Sequence, residues 1–163
     1  MSAAPLVERR QLVTCEVAGE RFAVDIFAVE RVLRFTPPRL LPNTTSWLRG
    51  VIDVGNAVIP VVDLRERLGL PSGAAPESAR ILVVSVDDAR IGVTVDAVHA
   101  VRTVLASAIE PPPAIYRGLA KDYLEGIVRH DGEIFVVLAA ARLLTSTERI
   151  EMRRIMSTEA RDG

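Results

Sequence analysis

The sequence predicts a mainly β chain built as two similar small lobes packed side by side, with short helices and a C-terminal helix. Three observations lead there. Nine short strand-like runs are separated by turn residues, the pattern of sandwich or barrel structure. Aromatic residues make up only 4% of a chain that is 49% hydrophobic, so the core must come from Val, Ile, Leu and Ala, whose β-branched members favour strands. The chain also echoes itself. "RFAVDIFAVERV" (Arg21–Val32) aligns without gaps on "RIGVTVDAVHAV" (Arg90–Val101), and "GVIDVGNAVIPVVDLRERL" (Gly50–Leu68) on "GIVRHDGEIFVVLAAARLL" (Gly126–Leu144). Both echoes run in the same order, at offsets of 69 residues (Arg21 to Arg90) and 76 (Gly50 to Gly126). Two copies are too few for a solenoid. Neither alone would bury much apolar surface, so pairing is expected.

In chain order, residues 1–9 read as a loose lead-in. Strand-like runs follow at Leu12–Val17, Arg21–Ile26, Val51–Val54, Ala57–Val62, Ile81–Val86, Arg90–Val95, Val98–Arg102, Glu125–Arg129 and Glu133–Leu138, with turns at Gly19, Gly55-Asn56, Asp87-Asp88 and Asp131-Gly132. "DLRERLGL" starts with Asp63 as an N-cap and stops at Gly69 as a C′ residue. Thr145 and Glu148 have capping-box spacing and open a C-terminal helix and tail over 146–163, with Ile150, Met152, Ile155 and Met156 as a candidate inner face. "GLPSGAAPES" (Gly69–Ser78) is a flexible joint, which puts lobe one at roughly 12–72 and lobe two at roughly 79–144, with strands or a helix exchanged between them. "FTPPRLLPN" and "EPPPAIYRG" are connectors, because proline removes backbone donors.

Several function classes are disfavoured. The net charge of −1, from 20 basic and 21 acidic residues, gives no field to gather nucleic acid or anionic lipid. No apolar run reaches the roughly 20 residues of a membrane span, and "MSAAPLVERRQL" lacks a secretory pattern, so the expected compartment is the cytoplasm. Cys15 is the only cysteine and reads as a small core residue. His99 and His130 sit in no metal-ligand spacing, and no nucleophile-elbow, Walker or dinucleotide motif is present. Neither a cofactor nor a metal is expected. Asp25, Asp53, Asp63 and Asp96 leave a small hydrolase as a remote reading, decided by whether two carboxylates share a cleft. An interaction module remains. Edge strands and an inter-lobe groove can take a partner's strand or helix, and Val29, Val32 and Val101 are candidate exposed contacts, with core packing as the alternative for each.

"FAVDIFAVERVLR", "LRGVIDVGNAVIPVVDLRERLGL" and "YLEGIVRHDGEIFVVLAAARLL", in that order, resemble the successive blocks of the CheW family of bacterial chemotaxis coupling proteins, over about residues 10–148. The resemblance implies two five-stranded SH3-like β-barrels around a shared apolar core. It implies a non-enzymatic adaptor that binds the regulatory domain of a CheA-type histidine kinase and docks the cytoplasmic hairpin tip of a chemoreceptor, placing the protein in receptor–kinase clusters. By match to the family's motif, Val29, Val32, Gly50 and Val101 are expected to line or shape partner surfaces. Pro60, Asp63 and Arg65 are structural signature positions, with Pro60 marking a strand break. Two departures from the family stand out. Where it reads Arg-Gly at the hairpin tip, this chain has Gly55-Asn56, which removes a fork-shaped cation while still favouring a type II′ turn. Where the family often has an acid before its second apolar residue, this chain has Arg31. The alternative function is therefore a divergent relative that binds only one of these partners, or an output protein, and modulates array assembly.

Overall fold

The structure is a computed structural model and describes residues 8–42, 47–114 and 121–162. Among these residues ten strands form. β1 (Arg9–Val17) and β2 (Glu20–Asp25) make a hairpin, and a 3-10 turn at Ile26–Ala28 leads into β3 (Val29–Arg34). β4 (Leu48–Val54) and β5 (Ala57–Val62) make a second hairpin, followed by helix α1 (Leu64–Arg67). Next come β6 (Arg80–Val86), β7 (Ala89–Val95), β8 (Ala97–Leu105), β9 (Leu124–His130), β10 (Glu133–Leu138) and helix α2 (Ser146–Asp162). β1 begins at Arg9, inside the expected lead-in, because Arg9 pairs with Leu105. β3 was not among the expected runs. Its sequence, VERVLR, is charged and mostly exposed, since it lies at a sheet edge.

The strands form two five-stranded sheets, ordered β8-β1-β2-β10-β9 and β3-β6-β7-β5-β4. The sheets do not divide at the Gly69–Ser78 joint. β1 and β2 pair with β8 and β10, while β6 and β7 pair with β3 and β5. The physical reason lies at two crossovers. Three residues separate β2 from β3, and Asp96 alone separates β7 from β8, so the chain runs forward into the other sheet instead of folding back. The duplication survives this exchange. Mapping β1–β5 onto β6–β10 turns one strand order into the other, and the registers agree. The parallel pairs Ala23–Val137 and Val24–Leu138 correspond to Gly92–Val61 and Val93–Val62 at the same offsets.

Period-two alternation sends neighbouring side chains to different cores. Ile81 and Val83 enter a cluster private to the second sheet, while Leu82, Val84 and Val86 enter the core shared by both. Ala23, Phe135 and Val137 line the first sheet's private cluster, while Phe22, Val24, Val136 and Leu138 face the shared one. Cys15 lies in that shared core with no exposed surface, and burial pushes its thiol up to about 12, so it is inert at neutral pH.

Asp63 caps α1 by accepting from the Glu66 amide at 3.3 Å, and Gly69 follows with φ +68°. Thr145 and Glu148 close a reciprocal capping box on α2, at 2.8 and 3.1 Å. Met152, Ile155 and Met156 pack on the shared core, but Ile150 is 59% exposed and leaves the expected inner face. Pro60 does not break its strand, for β5 runs through it in register with Val51. The backbone N–H and C=O of Val51 are both engaged by Arg39 on the opposite side, at 2.9 and 2.7 Å, so β4 asks no hydrogen bond of Pro60. On the other flank, pairing to β7 begins only at Val61.

Candidate partner-binding surfaces

One edge strand of each sheet, β3 in the second and β8 in the first, carries Val29, Arg31, Val32 and Val101. Among the described residues β3 pairs only with β6, and β8 only with β1. Each carries a β-bulge at the same place in the duplication. Glu30 falls between the Val29–Val84 and Arg31–Val83 pairs, and its counterpart His99 lies with Ala100 opposite the single residue Thr14. On the inner side of the bulge, Val29 and its counterpart Val98 are half-buried against the shared core. Beyond it, Val32 is 45% and Val101 is 51% exposed. The inner valines therefore anchor the edges, and the outer valines face solvent. Arg31 is exposed beside Val32. Thr14 satisfies the β8 bulge, donating from its hydroxyl to the Ala100 carbonyl at 2.8 Å and accepting from the Ala100 amide at 3.1 Å.

The hairpin tip is a two-residue turn beyond the Val54–Ala57 pair. Gly55 has φ +60° and Asn56 is not among the residues with positive φ, as in a type II′ turn. A Cβ on Gly55 would meet nothing within 4 Å, and Asn56 is exposed, so the tip stands clear of the body. Gly50 is different. It is buried, with φ +147°, and the Arg39 carbonyl occupies the space of the missing side chain. Gly50 shapes the strand that carries the tip but offers no side chain to a partner.

Asp63 and Asp96 line one small depression of about 120 Å³, together with Arg49 and Arg65. Both carboxylates serve structural donors. Asp96 Oδ2 accepts from Arg65 Nη2 at 2.7 Å and from the Ala18 amide at 2.8 Å, tying α1 to the β1–β2 turn. Asp63 is taken up by the α1 cap and lies 3.5 Å from Arg49. Asp25 accepts from Arg10, and Asp53 lies 3.5 Å from Arg39. Arg65 also donates to the Pro71 carbonyl at 2.8 Å, which pins the Gly69–Ser78 joint. His99 pairs with Glu16 at 3.3 Å, and His130 with Asp131 at 3.4 Å. Among the described residues no three His, Cys, Asp or Glu side chains gather as metal ligands, and no helix is long and apolar enough to cross a membrane.

Sequence reasoning passed over Phe27, which is 90% exposed in the 3-10 turn leading into β3, and a cluster of Trp47, Tyr123 and Glu148 around the buried Arg67. The 76-residue spacing of Trp47 and Tyr123, the offset of the second echo, was the available signal for the cluster.

Comparison with known proteins agrees with this architecture. A "Probable chemotaxis protein CheW" of Rhizobium etli is 30% identical over 139 residues, covering 85% of this chain and 90% of that protein. The "Chemotaxis protein CheW" of Bacillus subtilis is 29% identical over 82% of this chain and 86% of its own length. The crystal structure of the scaffolding protein TtCheW from Thermoanaerobacter tengcongensis superposes with a TM-score of 0.79 at 26% identity, over 91% of this chain and 96% of that one. The CheW-like domain family matches residues 11–148, a span that takes in nearly all of both sheets and both edge strands, and the chain belongs to that family.

Proposed function

We propose that this protein is a non-enzymatic cytoplasmic adaptor that couples chemoreceptors to a CheA-type histidine kinase within receptor–kinase clusters. The observation that carries the reading is the family match across residues 11–148, which supports reading 10–148 as one functional unit. Val32 and Val101 on the two edge strands, with Arg31 beside the first, are the contacts proposed for the partners, supported by their exposure on bulged edges. Val29 supports that surface from beneath, and Gly50 holds the β4–β5 hairpin whose tip, Gly55-Asn56, is a further contact. Nothing in the proposal calls on nucleic acid or insertion into a membrane. Binding to the kinase regulatory domain and, separately, to a receptor signalling fragment tests it by calorimetry. Binding to both is expected, and binding to neither ends the reading.

A second reading rests on the exposed tip, which carries no cation, and on the exposed Arg31. In it the chain engages one of the two partners, or an output protein, and modulates array assembly. The same titrations separate the readings, because the second gives a single binding partner.

A further inference from the structure

Arg67, on α1, is almost wholly removed from water, with its side chain 3% exposed. Its guanidinium grips the Glu148 carboxylate on α2 with two hydrogen bonds, 2.7 and 2.5 Å, and donates to the Tyr123 hydroxyl at 2.8 Å. It lies 5.7 Å from the centroid of the Trp47 ring and 5.0 Å from that of Tyr123. Its Nε finds no hydrogen-bond partner among the described residues. A cation buried this way is costly unless an anion compensates it, so Glu148 decides whether the arrangement holds.

The duplication explains what is unusual here. Trp47 and Tyr123 are the same position in the two repeats, brought to face one cation. By the same offset Arg67 corresponds to Leu143, which is 1% exposed. One repeat thus has a leucine where the other has an arginine. The following segments differ too. After Leu68 comes the Gly69–Ser78 joint, and after Leu144 comes α2. The substitution and the extra helix break the symmetry together.

The helix also joins the sheets. It follows β10 of the first sheet after residues 139–145, which include a 3-10 turn at Ala140–Arg142, and reaches the β6–β7 turn of the second, where Arg149 pairs with Asp87 and Arg153 lies 3.2 Å from Asp88. Met152 enters the shared core between these contacts, at 3% exposure.

We propose that α2 is a clasp that holds the two sheets at a fixed mutual angle, and that the Arg67–Glu148 pair is its lock. Opening the lock frees α2 as a unit and lets the edge strands β3 and β8 shift relative to each other. The spacing of the two outward valines is then governed from a helix outside the duplicated unit, whatever partners those edges take.

Hydrogen exchange on the full chain carrying Arg67→Leu tests this, since the change installs the other repeat's residue and leaves Glu148 without its cation. The amides of Met152–Met156 are expected to exchange at least about tenfold faster, while those of β1, β2, β6 and β7 keep their protection. Spin labels at Arg34→Cys on β3 and Thr103→Cys on β8 are expected to report a broader distance distribution than with Arg67 present. Cys15 is fully buried, so the labels stay at the introduced sites. A helix that stays protected, sheets that loosen along with it, or a freed helix with an unbroadened distance each overturns the proposal. Should Arg67→Leu fail to fold, Arg149→Ala with Arg153→Ala weakens the clasp from the surface. Exchange of the same amides is then expected to rise roughly threefold, and unchanged protection overturns the proposal.

Discussion

A Cβ placed on Gly50 would lie 2.4 Å from the carbonyl oxygen of Arg39, the same atom that accepts the Val51 amide at 2.9 Å. The duplication repeats this at Gly126, where the Glu110 carbonyl stands 2.3 Å from the equivalent point and accepts the Ile127 amide at 2.8 Å. A connector strand is thus laid across the start of each hairpin, and only glycine leaves room. Gly50→Ala is expected to cost about 3 kcal/mol, from a backbone clash added to a positive φ. Gly55→Ala, at a positive φ but in open space, should cost only about 1 kcal/mol. Urea denaturation of the two variants gives the comparison, and equal losses would show that the Arg39 contact is soft.

Val32→Asp and Val101→Asp separate recognition from stability. Each valine is about half exposed on an edge strand, so a charge there should move the melting temperature by no more than about 2 °C. Affinity for the partner using that edge should fall about tenfold or more. Calorimetric titration of both variants against kinase and receptor fragments assigns one edge to each. Unchanged affinity in every titration would remove the edges from the binding surface.

The tip can be given back its cation. Gly55→Arg with Asn56→Gly restores the family's order of residues, and no neighbour lies within 4 Å of position 55 to obstruct it. The turn should survive at a cost of about 1 kcal/mol, because a non-glycine residue at the first turn position gives up some of the φ > 0 preference. Affinity for a receptor or kinase fragment should rise severalfold, since an arginine fork reaches acceptors that Asn56 does not. An affinity equal to the parent's would show that the missing arginine does not limit binding.

The Glu148 carboxyl supplies a pH dependence. Burial pushes it up, but hydrogen bonds from Arg67 and the Thr145 amide outweigh that, and it titrates below its ordinary value of 4.5. The folded group therefore holds its proton less tightly than the unfolded one. Its contribution to stability is complete above about 4.5 and is lost as the pH falls through the lower folded value. Arg67, which holds it by two hydrogen bonds, stays charged throughout that range. Protection of the α2 amides should decline on acidification below about pH 4.5, and Glu148→Gln should flatten the decline. A decline of the same size in Glu148→Gln would show that the Arg67–Glu148 pair does not set it.

Local chemistry was legible in the sequence. The paired strands β4–β5 and β9–β10 follow from alternating apolar residues around two-residue turns, and Asp63, Gly69, Thr145 and Glu148 took the capping roles their spacing predicts. The echo predicted a duplication that now appears in hydrogen-bond register. What escaped was set by distant partners. β3 is an edge strand whose charges hide its period. The exchange of strands depends on pairings such as Thr14 with Ala100, 86 residues apart. Nothing in "RERL" marks Arg67 as buried, because Tyr123 and Glu148, which pack on it, lie 56 and 81 residues away. Of the proposed contacts, the sequence reached the valines and the tip. It could not tell that Val29 is half-buried while Val32 is half-exposed, because the bulge between them puts both on the face of Val84 and Leu82, and only their places along the edge set them apart.

The exchanged strands also set an order of assembly on the ribosome. The second sheet uses one unbroken stretch, 29–95, so all five of its strands have been made before any of β8–β10. β1 and β2 emerge first yet must wait for those last three strands before their own sheet can close. Until then the apolar face carrying Phe22 and Val24 has only the finished sheet to shelter against. β1 and β2 thus complete their sheet last, and synthesis stalled between β7 and β8 would leave one sheet whole beside an orphaned hairpin.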